Sequence, residues 1–257
     1  TAETVTAVVS VLTGGGKVAF LLGGKALREP ALLLASRISE TTDAVLLAEV
    51  FPTRLERGAG LPYVERLAYL AELASVQLAG LDHLILVDAK APVSFFAYPG
   101  KKSYLVPDGC TVHTLAGLDQ DALGSLQALV AQLKVQDVEP ALLDAAVPKR
   151  PSGALSADKV CQAVAAVLPE GAIVSDEAQT SGVTLSKHTA QAPRHDLLTL
   201  TGGAIGQGLP VAVGAAIACP DRQVFALVGD GSAMYTIQAL WTMAREQLNV
   251  ITIVFNN

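Results

Sequence analysis

The sequence predicts an α/β protein: two doubly wound parallel-sheet domains with helices on both faces, the second of them incomplete. Three observations lead there. Short runs rich in Val, Ile and Leu alternate with stretches of helical apolar period, the pattern of buried parallel strands joined by crossover helices. The stretch from Gln136 to Gly153, with Pro140, Pro148 and Pro151 and the charged pair Lys149-Arg150, reads as a linker between two such series. The end of the sequence reads strand, glycine turn, helix, strand. The expected boundaries are 1–138 for the first domain, 139–153 for the linker and 154–257 for the second domain.

In the first domain, Glu3 to Leu12 has the period of a helix and is closed by Gly14-Gly15-Gly16. Val18 to Leu22 is a strand running into Gly23-Gly24, and Ala26 to Ile38 a helix. Ala44 to Val50 is the next strand, and Pro62 to Ser75, rich in Leu and Ala, the next helix. Leu84 to Val87 and Thr111 to Leu115 are strands, and Asp119 to Leu133 is a helix with Asp119 as its cap. Gly14-Gly15-Gly16-Lys17 is no phosphate loop: Val18 stands where Ser or Thr is needed, and the glycines precede the strand.

In the second domain, Ser156 caps a helix to Leu168, and Ala172 to Ser175 is a strand. It ends in the polar run Asp176 to Ser181, at the strand edge where α/β proteins bind ligands. Leu197 to Leu200 is a short strand before a glycine-rich turn, and Gly206 to Ala218 a helix of small residues suited to close packing. Val224 to Val228 is a buried strand, Gly229-Asp230-Gly231 a sharp turn, and Ala233 to Gln247 a helix with apolar residues Ile237, Leu240, Trp241, Ala244 and Leu248. Val250 to Phe255 is the strand that delivers Asn256 and Asn257.

In a right-handed βαβ unit both strands open onto one edge of the sheet. Asp230 and Asn257 are therefore expected side by side. A carboxylate and a neutral amide oxygen suit a hard divalent cation, Mg²⁺ or Ca²⁺, with positions left for phosphate oxygens. The glycines let backbone N–H groups approach the phosphate, and a helix starting near Ser232 favours its charge. The plain alternative is a tight turn without a ligand. Gly203-Ala204-Ile205-Gly206-Gln207-Gly208 does not have the glycine spacing of a dinucleotide fingerprint.

From Gly229-Asp230-Gly231-Ser232 through Asn256-Asn257, the sequence resembles the thiamine diphosphate motif of the acetolactate synthase and benzoylformate decarboxylase family. Ser232 to Thr242 and Gly203 to Pro210 are similar to the corresponding segments. The resemblance is close in the second half of the chain and architectural in the first. It implies thiamine diphosphate held through Mg²⁺ by Asp230 and Asn257, with Gly229, Gly231 and Ser232 around the diphosphate. It matches Ile205 to the bulky residue that props the cofactor in a bent shape, the Gly203 carbonyl to the aminopyrimidine acceptor, and Gln179 and Thr180 to diphosphate contacts. For these last two, helix capping is the competing account, and for Ile205 a place in the core.

The implied reaction is decarboxylation of a 2-oxo acid with carboligation, acetolactate synthase-like and hence part of branched-chain amino acid biosynthesis. The alternatives are a simple decarboxylase such as benzoylformate decarboxylase, or a non-catalytic binding subunit. The activating Glu of the family lies in an N-terminal domain, so no catalytic residue is expected in this segment. The chain is expected to be an internal fragment: a middle domain and the first half of a diphosphate domain, inactive by itself. In acetolactate synthases the middle domain also binds FAD, but Arg57 to Pro62 lacks their glycine- and His-bearing loop, so FAD is not implied. A homodimer or homotetramer with sites between subunits is implied.

Composition limits the partners. The chain is 51% hydrophobic and 16% charged with a net charge of −6, which speaks against nucleic acid or an anionic membrane. No apolar run reaches membrane-span length. Cys110, Cys161 and Cys219, odd in number and far apart, read as reduced core thiols of a cytoplasmic protein. His83, His113, His188 and His195 show no metal-ligand spacing, and His188 and His195 are expected at the solvated surface, with contact to substrate as the alternative. Arg54, Arg57 and Arg66 are likewise expected on a solvated charged face, with an anion grip as the alternative.

Overall fold

The computed structural model describes residues 1–97, 99–100 and 102–256. The chain divides into two compact units. The first comprises Thr1–Pro52 and Pro62–Ala141, the second Thr53–Leu61 and Leu142 onward.

The first unit opens with α1 (Ala2–Thr13), capped by the Thr1 side chain accepting from the Thr4 N–H. The strand β1 (Val18–Leu22) is buried at every position, as a run of Val, Ala, Phe and Leu must be when helices cover both sheet faces. A 3-10 turn, Gly24–Leu27, then leads to α2 (Glu29–Thr42). The helix starts three residues later than its apolar period suggests, because Pro30 supplies a preset φ and lacks only an N–H that the first turn leaves without a partner anyway. Next comes β2 (Val45–Ala48), followed by β3 (Leu55–Arg57), which belongs to the second unit's sheet. The unit continues with β4 (Glu65–Arg66), α3 (Ala71–Gln77), β5 (His83–Val87), β6 (Thr111–Ala116) and α4 (Ala122–Leu133).

Two local expectations are corrected here. Pro62 to Ser75 is not one helix: Glu65 and Arg66 pair with Leu47 and Ala48 as a short parallel strand, and only Ala71–Gln77 is helical. The extended form buries Val64 and Leu67, which outweighs the helix propensity of the Leu- and Ala-rich run. The cap of α4 is Asp121 rather than Asp119, its carboxylate accepting from the Gly124 N–H at 3.0 Å. The sheet order is β4-β2-β1-β5-β6 with every pair parallel, so the direction of winding reverses between β1 and β5.

The second unit contains α5 (Ala157–Val167), β7 (Ala172–Glu177), α6 (Leu185–His188), β8 (His195–Leu198), α7 (Gly208–Ala218), β9 (Val224–Gly229), α8 (Asp230–Ala233), α9 (Gln238–Arg245) and β10 (Val250–Phe255). Ser156 caps α5 as its sequence position predicts, accepting from the Lys159 N–H. The order is β10-β9-β7-β8-β3, parallel except for β3, which runs antiparallel to β8. Winding reverses between β7 and β9. The helix α7 lies close against the sheet through Leu209, Ala212 and Ala216, which pack with Ile173, Val224, Ala226 and Val228. The helix expected over 233–247 is broken into α8 and α9. Between them Tyr235 and Thr236 turn with i→i−3 bonds to Ser232 and Ala233, and the Thr236 hydroxyl leaves the helix to donate to the Gly206 carbonyl at 2.8 Å.

The architecture is thus the α/β class read from the sequence, with two parallel-dominated sheets. Among the described residues no helix is long and apolar enough to cross a membrane.

Candidate functional site

In the second unit, the crevice outside the carboxyl ends of β7 and β9 is where the topology places a ligand. The strand β7 ends at Glu177, which pairs in register with Val228, and β9 ends at Gly229, which pairs with Phe255 of β10. Asp230 therefore stands just beyond the edge. It is half-buried and opens α8, with its own carbonyl accepting from the Met234 N–H. A Cβ on Gly231 would meet nothing within 4 Å, so this backbone is open to close approach from outside. Ser232 is half-buried on the same turn. Asn256 follows the ladder and is exposed, whereas Asn257, the second metal ligand expected from the sequence, lies outside the described residues. Because α8 is a single turn, its dipole is slight, and any preference for phosphate rests on the first-turn N–H groups.

Facing this turn is the loop 201–208. Gly202, Gly203 and Gly206 all have positive φ, at 68°, 73° and 98°, a path that residues with a Cβ seldom follow. A Cβ at Gly206 would lie 2.7 Å from the Tyr235 Cβ. The loop is braced at several points. The Glu177 carboxylate, only 1% exposed, accepts from the N–H groups of Gly206 and Gly208. The Ser175 hydroxyl donates to the Gly208 carbonyl at 2.8 Å. The Gln207 amide donates to Thr201 and Ala204 carbonyls. Held this way, Ile205 projects outward with 44% of its surface exposed, so it is not a core aliphatic. Gly203 is half-buried and its N–H donates to Leu200. Gln179, at φ 48°, and the exposed Thr180 follow β7 at the same edge.

Among the described residues no three His, Cys, Asp or Glu side chains converge as a metal-binding group. A hard cation at Asp230 would complete its shell with amide, backbone or phosphate oxygens, the set a bound diphosphate provides. The donor set, the open glycine and the projecting Ile205 fit a metal-borne diphosphate joined to an aromatic group.

Glu177 was not singled out from the sequence. The available signal was a carboxylate ending a strand whose every position is buried. The solvated placing of several residues is corrected as well. His195 is 4% exposed, since its strand β8 lies between β7 and β3, and burial followed by the Arg57 charge lowers its pKa to about 4. Arg57 is also buried and donates to the Ser186 carbonyl. Arg54 and Arg222 both bind the buried Asp196, Arg54 through Nε at 2.6 Å and Arg222 at 2.7 Å. His188 is partly buried against Asp158, at 2.8 Å. Of the thiols only Cys161 is fully buried, and all three are free.

The first unit has its own point of winding reversal, beyond β1 and β5, where carboxylates meet backbone N–H groups. The Asp88 carboxylate accepts from the Lys25 N–H at 2.7 Å, and Glu49 accepts from the Gly24 N–H at 3.2 Å. Burial pushes the Glu49 carboxyl up, the Gly24 N–H opposes this, and the Asp88 charge adds to it. Two of the backbone N–H groups that a phosphate could use at this edge thus already hold carboxylates.

Residues 179–257 match the family described as thiamine pyrophosphate enzyme, C-terminal TPP binding domain. This segment is similar to that domain. It contains the whole β9–α8 turn and the 201–208 loop. Relatives of the chain point the same way. A Mycobacterium tuberculosis protein, with the provisional name acetolactate synthase large subunit IlvX, is 54% identical over 252 residues, which is 97% of this chain and 48% of the relative. Benzoylformate decarboxylase of Pseudomonas aeruginosa is 32% identical over 144 residues, 53% of this chain and 27% of that enzyme. In fold, the chain resembles a Rhodococcus jostii thiamine diphosphate-dependent 4-hydroxybenzoylformate decarboxylase, with a TM-score of 0.77 and 24% identity over 100% of this chain and 51% of that one. The chain spans about half the length of these relatives or less.

Proposed function

We propose that the chain forms the diphosphate side of a thiamine diphosphate site in an enzyme that decarboxylates a 2-oxo acid and joins the product to a second carbonyl compound, as acetolactate synthases do. The observation that carries this reading is the Asp230–Ser232 turn at the carboxyl edge of β9, facing a braced loop from which Ile205 projects. Asp230 and Asn257 would hold Mg²⁺, Gly229, Gly231 and Ser232 would surround the diphosphate, and Gln179 and Thr180 would contact it from the end of β7. The Gly203 carbonyl would accept from the aminopyrimidine, and Ile205 would support the bend between the two rings. When bound, thiamine diphosphate supplies the electron sink that makes loss of CO₂ from a 2-oxo acid accessible. These residues bind and orient, and none of them moves a proton in the reaction. The whole enzyme is expected to be a homodimer or homotetramer.

The benzoylformate decarboxylase relatives support a second reading, a simple decarboxylase. Calorimetric titration of the full-length protein with thiamine diphosphate and Mg²⁺ tests the site. Asp230→Ala is expected to abolish Mg²⁺-dependent binding, and undiminished affinity refutes the assignment. Assays of pyruvate and benzoylformate for CO₂ and acetolactate then separate the two reactions.

A further inference from the structure

We infer that Glu177 is a positioning residue for the pyrimidine side of this site: its buried carboxylate fixes the loop that carries the Gly203 carbonyl and Ile205, without itself meeting the ligand. The inference rests on the cofactor reading above.

A carboxylate this deeply buried is costly to keep unless its oxygens are matched by donors. Glu177 is matched by two, the N–H groups of Gly206 and Gly208, one for each carboxylate oxygen. Gly208 is the first residue of α7, an eleven-residue helix, so the carboxylate also sits at the positive end of that helix. The strongest anion-binding position at this edge is therefore taken by the protein itself. A ligand diphosphate is left with the β9–α8 turn, and the loop between is free to face the rest of the cofactor.

The Thr236 hydroxyl braces the same loop from the opposite side, donating to the Gly206 carbonyl from the segment that follows Asp230, Gly231 and Ser232. Among the braces on this loop, Glu177 and Thr236 thus help to set where Ile205 and the Gly203 carbonyl stand relative to Asp230. Neither brace belongs to the diphosphate grip. Loosening them should disturb recognition of the pyrimidine and leave recognition of the diphosphate intact.

The test uses the full-length protein and two probes, thiamine diphosphate with Mg²⁺ and inorganic pyrophosphate with Mg²⁺, each titrated calorimetrically. In Glu177→Gln one oxygen still accepts, but the new NH₂ group faces a backbone N–H. An unmatched buried donor of this kind should weaken thiamine diphosphate binding on the order of tenfold. Pyrophosphate affinity should change less than about twofold by the same reasoning, because the β9–α8 turn is untouched. Thr236→Val removes the brace from the other end, should show the same selectivity with a smaller loss, and decides the matter if Glu177→Gln does not fold. Equal weakening of both probes, or of neither, overturns the inference. A wild-type protein that binds pyrophosphate but not thiamine diphosphate removes the cofactor reading and this inference with it.

Discussion

His195 should make the second unit sensitive to mild acid. The residue is 4% exposed, Nδ1 lies 2.8 Å from the Pro193 carbonyl, and Nε2 has no hydrogen-bond partner among the described residues. Burial disfavours the imidazolium, and Arg57, its partner across the β3–β8 ladder, adds repulsion. The Pro193 carbonyl and Asp196 oppose these effects without reversing them. The folded-state pKa is about 4, against the usual 6.5. A His whose folded pKa is lowered binds its proton more readily when unfolded. Its neutral form therefore supports the fold fully above the unfolded pKa, and that support is lost as pH falls from 6.5 toward 4. Working the two pKa values through the linkage relation gives a loss of about 2 kcal/mol between pH 7 and pH 5. Urea unfolding of the wild type and of His195→Met at both pH values isolates this, since other titrating groups contribute alike to both proteins. Removing the Nδ1 bond should cost the variant roughly 1 kcal/mol at either pH. The variant should nonetheless lose about 2 kcal/mol less than the wild type on acidification. Identical pH dependence of the two proteins would refute the argument.

Two further outcomes are expected. Asp196→Asn leaves Arg54 and Arg222 facing a neutral group; as both guanidiniums remain partly exposed, the cost should be roughly 2 kcal/mol, read as a lower urea midpoint with unchanged slope. Full-length protein incubated with FAD or ADP should retain neither in the first unit, because Glu49 and Asp88 already hold two of the backbone N–H groups that a phosphate could use. Stoichiometric flavin absorbance after gel filtration, removed by a substitution at Gly24 or Lys25, would contradict that.

The strands written as long apolar runs were legible because their residues leave little choice. Val18–Leu22 and Val250–Phe255 fall where their apolar runs predict, and the Ser156 cap holds because a hydroxyl ahead of an apolar period has one obvious acceptor role. The Asp230 turn was legible for a similar reason: a glycine-flanked carboxylate between two such strands must lie at the sheet edge. Less was legible where a distant partner settles the conformation. The segment 62–70 has a helical composition, yet a two-residue ladder with β2 and the burial of Val64 and Leu67 make it extended. The helix expected after Asp230 breaks because Thr236 bonds to Gly206, thirty residues earlier.

The sequence by itself determined the layered α/β class, the strands written as apolar runs and the glycine-flanked carboxylate, since these follow from local apolar period and backbone freedom. Only the tertiary structure decided that β3 joins the second sheet, that His195 is buried and Asp196 held between two arginines, and that Glu177 braces the loop carrying Ile205. The physical reason is that burial and hydrogen-bond partnership depend on residues far apart in the chain, which no local pattern encodes.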